Sequence, residues 1–421
     1  MEGTRREEGL KRRGEPEPSR AHPAGKAGGR PSGTLGGMIR AGVGISTGTD
    51  GPTAVEEAAS AALSSVGRAD LAILFAAPAY PGGVEPLLAA AVDVLETSAI
   101  VGASAHGVLG AGIECENRAS VSVMALADVD AEPFLIPDVR GDEDQIGAEI
   151  AARIPAGPQP EDLAVILPDP RLDTAALVRG LDSALGPARV VGAGAGDPFS
   201  NAPAQWVGRN VETESVAGVV LRGSRVRIGV TQACRPTTGP LTVTRAQGNW
   251  VLELDRRPAL DVYREAALGP LADDLQRAAA FVLVALPGDR DASLLPGSYR
   301  VRHVVGFAPD ERAFALPEIV ERGDRIALAV REPESARADL KAMLAGLAGG
   351  SPAFGLYFNC CARGSSFFGV PGLEAAYLEN AFAETPIAGM FGSHEVGPIG
   401  DSGDSSVELL TYTGVLALLG G

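Results

Sequence analysis

The chain has 421 residues, of which 45% are hydrophobic and 21% charged, and its formal net charge is −17. This length and composition are typical of a globular protein with two or three domains. The acidic excess argues against nucleic acid or an anionic membrane surface as a partner, because both attract basic surfaces. The longest apolar runs are of strand length, well short of the roughly 18 to 20 residues that a membrane span needs.

The first 37 residues differ from the rest of the chain. They hold eight basic and five acidic side chains, a net of +3, which leaves −20 on the remainder. Their charged, Pro- and Gly-rich composition predicts disorder, and they lack the apolar centre of an export signal. The four cysteines form neither a plausible disulfide framework nor a CxxC motif. The sequence therefore predicts a cytoplasmic protein, with no metal site and no cofactor.

A unit of strand, Ala/Leu-rich helix and second strand running into a glycine cluster is found three times along the chain. The copies occupy residues 71–104, 163–194 and 354–391. Each is of a size that suits one supersecondary unit, so the repeats are expected to bring similar glycine loops together in one molecule. Such a convergence predicts a pocket.

The segments around the repeats predict further strands. An alternating strand, Ser120–Ala127, is expected to pair with the segment after the first glycine cluster, and Gly223-Ser224 is a hairpin signal between two β segments. Gly248-Asn249 predicts a turn between two more strands, and the domain boundary is expected near Gly239. Strands outnumber helices, so we predict an α+β fold of two domains, with mixed or antiparallel sheets layered with helices.

The glycine loops are the first candidates for a functional site. Gly192, Gly194 and Gly196 follow an apolar strand, but Asp197 and a proline come next instead of the helix that a dinucleotide-binding fingerprint needs. Two readings stay open. The glycines permit tight turns and close packing of the backbone, or they surround a small ligand.

A second candidate is the segment that begins at Cys360 and follows an apolar strand. Arg363 could clamp a carboxylate, with Ser365 and backbone N–H groups as further donors. Two other readings stay open for this segment. Cys360 is either a nucleophile activated by a histidine base or a small, buried hydrophobic residue. Arg363 either binds a ligand or merely pairs with Glu395.

The third candidate is His394-Glu395 in the last glycine loop. The pair suits acid–base chemistry, or it forms a hydrogen-bonded cluster that fixes the loop. His106 occupies the corresponding position in the first repeat, which indicates a shared place in the architecture.

These segments together resemble the FIST proteins, which carry N-terminal and C-terminal FIST domains in tandem. The resemblance rests on the order and spacing of several motifs, at residues 100–107, 190–197, 239–249, 253–263, 360–364 and 386–398. It implies an intracellular small-ligand sensor in signal transduction, for which amino acids or related metabolites have been proposed as ligands. It also implies a FIST N-like domain at 38–239 and a FIST C-like domain at 240–421.

The chain departs from fused family members because no signalling output segment is recognisable in it, so we expect a stand-alone sensor that passes its signal to a separate protein. An enzyme using Cys360 or the His394–Glu395 pair, or a scaffold that binds protein partners, are the alternatives. The expected ligand-binding residues are Gly102, Ser104, Gly192, Gly194, Asp197, Cys360, Arg363, Gly364, Ser365, His394 and Glu395.

Overall fold

The computed structural model describes residues 38–421, with gaps at 78–79, 154–161, 186–188, 198–202, 268, 288–293, 295–296, 400–405 and 421. The disorder predicted for residues 1–37 concerns a segment outside the described residues. The described residues belong to one compact unit.

The repeated unit is larger than the sequence predicts, because each copy contains, within the described residues, six strands and two helices of nine or more residues in the same order. The first copy consists of β1 (Arg40–Ser46), α1 (Gly51–Val66), β2 (Leu71–Ala77), α2 (Glu85–Leu95), β3 (Ile100–Ser104), β4 (Gly107–Gly110), β5 (Ile113–Glu116) and β6 (Ser120–Ala127). The second consists of β7 (Asp130–Ile136), α3 (Glu143–Ala151), β8 (Leu163–Pro168), α4 (Thr174–Leu185), β9 (Val190–Ala193), β10 (Gln205–Val207), β11 (Asn210–Glu212) and β12 (Val216–Arg222).

The third copy follows the same plan but is interrupted after its first strand, β13 (Val226–Gln232). The inserted segment contains β14 (Cys234–Pro236), β15 (Leu241–Gln247), β16 (Trp250–Leu254), β17 (Arg257–Pro258), α5 (Ala259–Ala267), a 3-10 turn (Gly269–Ala272), α6 (Leu275–Ala278), β18 (Val282–Pro287), β19 (Tyr299–Arg302), β20 (Gly306–Ala308), β21 (Ala313–Ala315) and β22 (Arg325–Arg331). The copy then resumes with α7 (Pro333–Gly346), β23 (Phe354–Cys360), a 3-10 turn (Cys361–Arg363), α8 (Ser365–Phe368), α9 (Leu373–Ala381), β24 (Ile387–Gly392), β25 (Glu395–Ile399), β26 (Ser406–Leu410) and β27 (Thr413–Leu419).

Each copy is the basis of one six-stranded sheet, and the copies exchange hairpins. Their strand orders are β1-β6-β2-β3-β10-β11, β7-β12-β8-β9-β25-β26 and β13-β27-β23-β24-β4-β5. In every sheet the third and fourth strands are parallel and all other neighbours are antiparallel. The last two strands of each sheet come from a different copy. The hairpin exchange therefore closes a ring of three sheets.

Two pairings differ from the sequence-based expectations. β6 pairs with β1 and β2 instead of the segment after the first glycine cluster, because that segment leaves for the sheet of the third copy. The strands on either side of Gly223-Ser224 form no hairpin, since β12 and β13 belong to different sheets. The turn at Gly248-Asn249 is confirmed, with Gln247 opposite Trp250.

The core has an inner layer and an outer layer. The inner faces of the three sheets pack together around residues such as Phe75, Leu167 and Phe358. The rings of Phe75 and Phe358 pack edge to face, with their centroids 6.1 Å apart. The outer faces are covered by helices α1 and α2, α3 and α4, and α7 and α9 respectively. Because both faces of the central strands are covered, β2, β8 and β23 are buried at every position.

The described part of the inserted segment forms a sheet of nine strands with its own core around Leu260, Tyr263 and Phe314. The mixed α/β content, with several multi-stranded sheets layered with helices, confirms the predicted fold class. The division into 38–239 and 240–421 stays a prediction, and the sheets cross it, because β4 pairs with β24 and β9 with β25.

Candidate ligand site where the glycine loops meet

The carboxyl ends of the three parallel strand pairs meet through their glycine loops. The N–H of Gly196 donates to the carbonyl of Ser104 at 2.9 Å, and the N–H of His106 donates to that of Phe391 at 2.9 Å. Gly194 and the third loop exchange two bonds, from Gly194 N–H to the carbonyl of His394 and from Ser393 N–H to that of Gly194. Each loop is thus bonded to the other two, which holds their side chains in fixed places.

Two glycines of the second loop make room for two histidine rings. A Cβ atom on Gly194 would lie 2.2 Å from Cε1 of His394, and one on Gly196 would lie 2.3 Å from Cδ2 of His106. Of the two readings of these glycines, close packing therefore applies at both positions. The corresponding placement of His106 and His394 also agrees with their shared position in the repeats.

The His394 side chain is almost completely buried, with 8% of the residue exposed. Its Nδ1 lies 3.2 Å from the hydroxyl of Ser393, whereas its Nε2 has no hydrogen-bond partner among the described residues. Burial, and secondarily the charge of Arg302, lowers the pKa of His394 to about 4. The imidazole is therefore neutral at physiological pH.

Glu395 follows directly and is completely buried. Its Oε2 accepts bonds from the backbone N–H of Thr413 at 3.2 Å and from the Thr413 hydroxyl at 2.6 Å. The other oxygen, Oε1, has no partner in the part of the chain that the structure describes. Burial, followed by proximity to Cys360, raises the pKa of Glu395 well above its ordinary value, so this group keeps its proton at a higher pH than an exposed glutamate does.

The first and second glycine loops contribute Ser104, His106 and Asp197 to the candidate site. The Ser104 hydroxyl is buried and accepts the N–H of Ala204 at 2.9 Å. Burial lowers the pKa of His106, and the Asp197 carboxylate opposes part of that shift. Gly102 and Gly192 lie inside β3 and β9, where a Cβ would strike the carbonyls of the adjacent strands at 1.8 Å. Those two glycines serve the contact between strands.

The segment after β23 forms a separate cluster. Arg363 is fully buried and pairs with Glu374, not with Glu395; its Nε lies 3.1 Å from Glu374 Oε1, and its Nη2 contacts the same oxygen. The backbone N–H of Ser365 donates to Glu116 at 2.8 Å, and that carboxylate also occupies the space next to Gly364. This segment therefore ties β23 to β5 and α9.

The adjacent thiols of this segment have different environments. Cys360 is buried, and a hydrogen bond with Cys361 together with burial raises its pKa well above the ordinary value. Cys361 is exposed, and the same hydrogen bond lowers its pKa. All four cysteines of the chain are free thiols.

Some residues at the site were not among those that the sequence predicts. Ser393 and Thr413 bond to His394 and Glu395, and Glu374 is the partner of Arg363. Ser393 could have been found because it lies beside the predicted pair, whereas Thr413 and Glu374 carry no distinguishing signal in the sequence. Among the residues that the structure describes, no helix is long and apolar enough to cross a membrane.

Comparison with known proteins matches two successive parts of the chain to two family models. The FIST N domain matches residues 70–257, and the FIST C domain matches residues 259–398. The chain belongs to the FIST family. The tandem order predicted from the sequence motifs is confirmed, and FIST domains are associated with small-ligand sensing in signalling.

Relatives extend the likeness over most of the chain. An uncharacterized protein of Mycobacterium tuberculosis (strain H37Rv) is 31% identical over 369 residues, covering 86% of this FIST protein and 95% of its own length. An uncharacterized protein of Mycobacterium bovis is 30% identical over 373 residues, with coverages of 86% and 95%. Among solved structures, a cyanuric acid hydrolase from A. caulinodans is similar with a TM-score of 0.36 and 12% identity, covering 91% of this chain and 99% of that one.

Proposed function

We propose that this FIST protein binds a small polar ligand for signal transduction and that the ligand contacts Ser393, His394 and Glu395. One observation carries the proposal. Two adjacent buried side chains each keep one hydrogen-bonding atom, His394 Nε2 and Glu395 Oε1, without a partner among the described residues. A buried polar atom left unpaired costs about 1–3 kcal/mol, so a ligand that bonds to these atoms would recover that free energy.

The electrostatics of the site favour an uncharged contact group. The pKa of His394 is lowered and that of Glu395 is raised, so both side chains favour their neutral forms. The two arginines whose charges act on them are already paired, Arg302 with Glu318 at 3.0 Å and Arg363 with Glu374. We infer that the ligand presents an amide, imide or hydroxyl group here. Amino acids and related metabolites, the class that the family resemblance implies, include molecules with such groups.

This proposal also changes the expected role of the segment after β23. Arg363 is engaged with Glu374, so a carboxylate clamp at that residue stays a prediction without support from its contacts. The raised pKa and burial of Cys360 disfavour the thiolate that a nucleophile at this residue needs, and the enzyme stays the alternative to the sensor. A cytoplasmic location and a separate signalling partner stay predictions.

A binding screen on the full chain tests the proposal. Amino acids, their amides and nucleobases would be screened by thermal shift, because a ligand that binds the native state raises the melting temperature. The affinities of the compounds that bind would then be measured by calorimetry. His394→Gln should weaken binding about tenfold or more, the value of one buried hydrogen bond. His303→Gln is the matched control, since His303 is exposed in the inserted segment. Equal affinity of wild type and His394→Gln would contradict the proposed site.

A further inference from the structure

A cavity lies between the end of β13, strands β14 and β19, and helix α7. Its volume is about 450 Å³, within the range of small-ligand pockets. Its apolar wall includes Cys234, Pro236, Tyr299, Ala338 and Ala342. The lining residues are different from those around the glycine loops, so this cavity is distinct from the site proposed above.

Gln232, one of the residues that line the cavity, has a side-chain acceptor without a partner among the described residues. Gln232 is 3% exposed, and its amide Nε2 donates to the carbonyl of Tyr299 at 2.9 Å. Its Oε1 makes no hydrogen bond within the described part of the chain. Turning the amide over would place Oε1 against the Tyr299 carbonyl, two acceptors facing each other, so the orientation is fixed. The side-chain oxygen of Gln232 can therefore accept a hydrogen bond from a donor.

The charged residues among the described lining of the cavity are Asp339 and Arg235. Asp339 lines the cavity, and its carboxylate is held in place by the Thr231 hydroxyl at 2.8 Å and the Gln232 N–H at 2.6 Å. Arg235 also lines the cavity but is paired with Glu332, Nε to Oε2 at 3.0 Å. With that pair neutral, the charge of Asp339 is left to attract a cation.

We propose that this cavity binds an organic amine with an apolar body. An ammonium group has three donors and no acceptor, which suits the carbonyl oxygen of Gln232 and the carboxylate of Asp339. The apolar body of the amine lies against Pro236, Tyr299 and Ala338. A carboxylate ligand is repelled by Asp339, and an alcohol supplies one donor without charge. This inference goes beyond the proposed function, because it concerns a different site and a different ligand class.

Three indoles with the same body and different head groups test the ligand class. Tryptamine carries an ammonium, tryptophol a hydroxyl and indole-3-propionate a carboxylate, and each would be titrated into the full chain by calorimetry. Tryptamine should bind about 10- to 100-fold more tightly than tryptophol, the range of one charge-assisted hydrogen bond, and the acid should bind most weakly. Equal binding of the three indoles, or no measurable binding of tryptamine, would overturn the proposal.

Variants on α7 test the location. Asp339→Asn should remove the preference for tryptamine over tryptophol, whereas Glu334→Gln makes the same charge change at an exposed position of the same helix and should not. Ala338→Leu fills the cavity and should abolish binding of tryptamine and tryptophol alike, while Ala345→Leu adds the same side chain at an exposed position elsewhere on α7. Tryptamine binding that survives Ala338→Leu but is lost in His394→Gln would place the amine at the glycine loops and overturn the assignment.

Discussion

Two buried polar clusters at the ends of the neighbouring strands β23 and β24 differ in how their charges are met. In the first, the Glu374 carboxylate accepts from Tyr357, Asn359 and Arg363. Burial is the largest single influence and lowers the pKa of Arg363, but the charge of Glu374, the nearby Tyr357 and the hydrogen bonds to Glu374 together outweigh it, so the net shift is upward. Nη1 of Arg363 and Oδ1 of Asn359 have no partner among the described residues, but the two charges lie in direct contact.

The second cluster, Ser393, His394, Glu395 and Thr413, contains no such ion pair. Burial shifts the pKa values of His394 and Glu395 in opposite directions, and both shifts favour the uncharged form. This difference indicates that the first cluster belongs to the structural framework of the fold. Disturbing a buried ion pair is costly, whereas the neutral side chains of the second cluster can bond to a ligand without any separation of opposite charges.

The largest expected effect comes from breaking the ion pair of the first cluster. Glu374→Gln leaves Arg363 buried without a counter-charge, which should lower the free energy of unfolding by about 3–5 kcal/mol in urea denaturation. Glu379→Gln on the same helix is the control, because Glu379 is exposed and its loss should change stability by no more than about 0.5 kcal/mol. A Glu374→Gln variant as stable as this control would show that the pair is not part of the framework.

The second cluster should instead be recognisable from the pH dependence of stability. The pKa of His394 is about 4 in the folded protein against an ordinary value of 6.5, so between these values the unfolded chain binds more protons. The contribution of the neutral His394 side chain to the free energy of unfolding is therefore complete above about pH 6.5 and is lost as the pH falls towards 4. The shift corresponds to about 3 kcal/mol.

This pH effect would be measured as a difference between two proteins. Wild type and His394→Gln would each be unfolded in urea at pH 7 and at pH 4.5, and wild type should lose about 2–3 kcal/mol more than the variant. Subtracting the two curves removes the other titrating groups, including Glu395. Parallel curves would mean that His394 is not held neutral by burial.

The predictions made from the sequence succeed where the relevant signal is local. Apolar runs bounded by glycine clusters identified the central parallel strands of each sheet, because such strands are buried on both faces and read as continuous hydrophobic segments. The exchange of hairpins could not be predicted in this way. Pairing of β4 with β24 places Leu109 opposite Gly389, and no local pattern specifies so distant a partner.

The same distinction applies to the candidate site. The convergence of glycine loops and the equivalence of His106 and His394 follow from repeat positions, so the sequence could indicate them. The partner of Arg363 could not be identified, since Glu374 is one of several acidic residues on amphipathic helices and only the packing of α9 on β23 selects it. Unpaired atoms such as His394 Nε2 are a property of the packed site and have no counterpart in the sequence.

The smallest of these effects on stability concerns the space that the second loop leaves for His394. In Gly194→Ala the added Cβ would lie 2.2 Å from Cε1 of His394, so the ring must move within a buried site. The cost should be about 1–3 kcal/mol, as for other overpacked sites. Because His394 Nε2 would then lie in a different position relative to the ligand, the affinity for the ligand should fall together with the stability. Gly239→Ala is the control, since nothing lies within 4 Å of a Cβ there. If Gly194→Ala matched this control in both stability and affinity, the imidazole would not be fixed by the glycine loop, and the difference between the two clusters would rest on the ion pair alone.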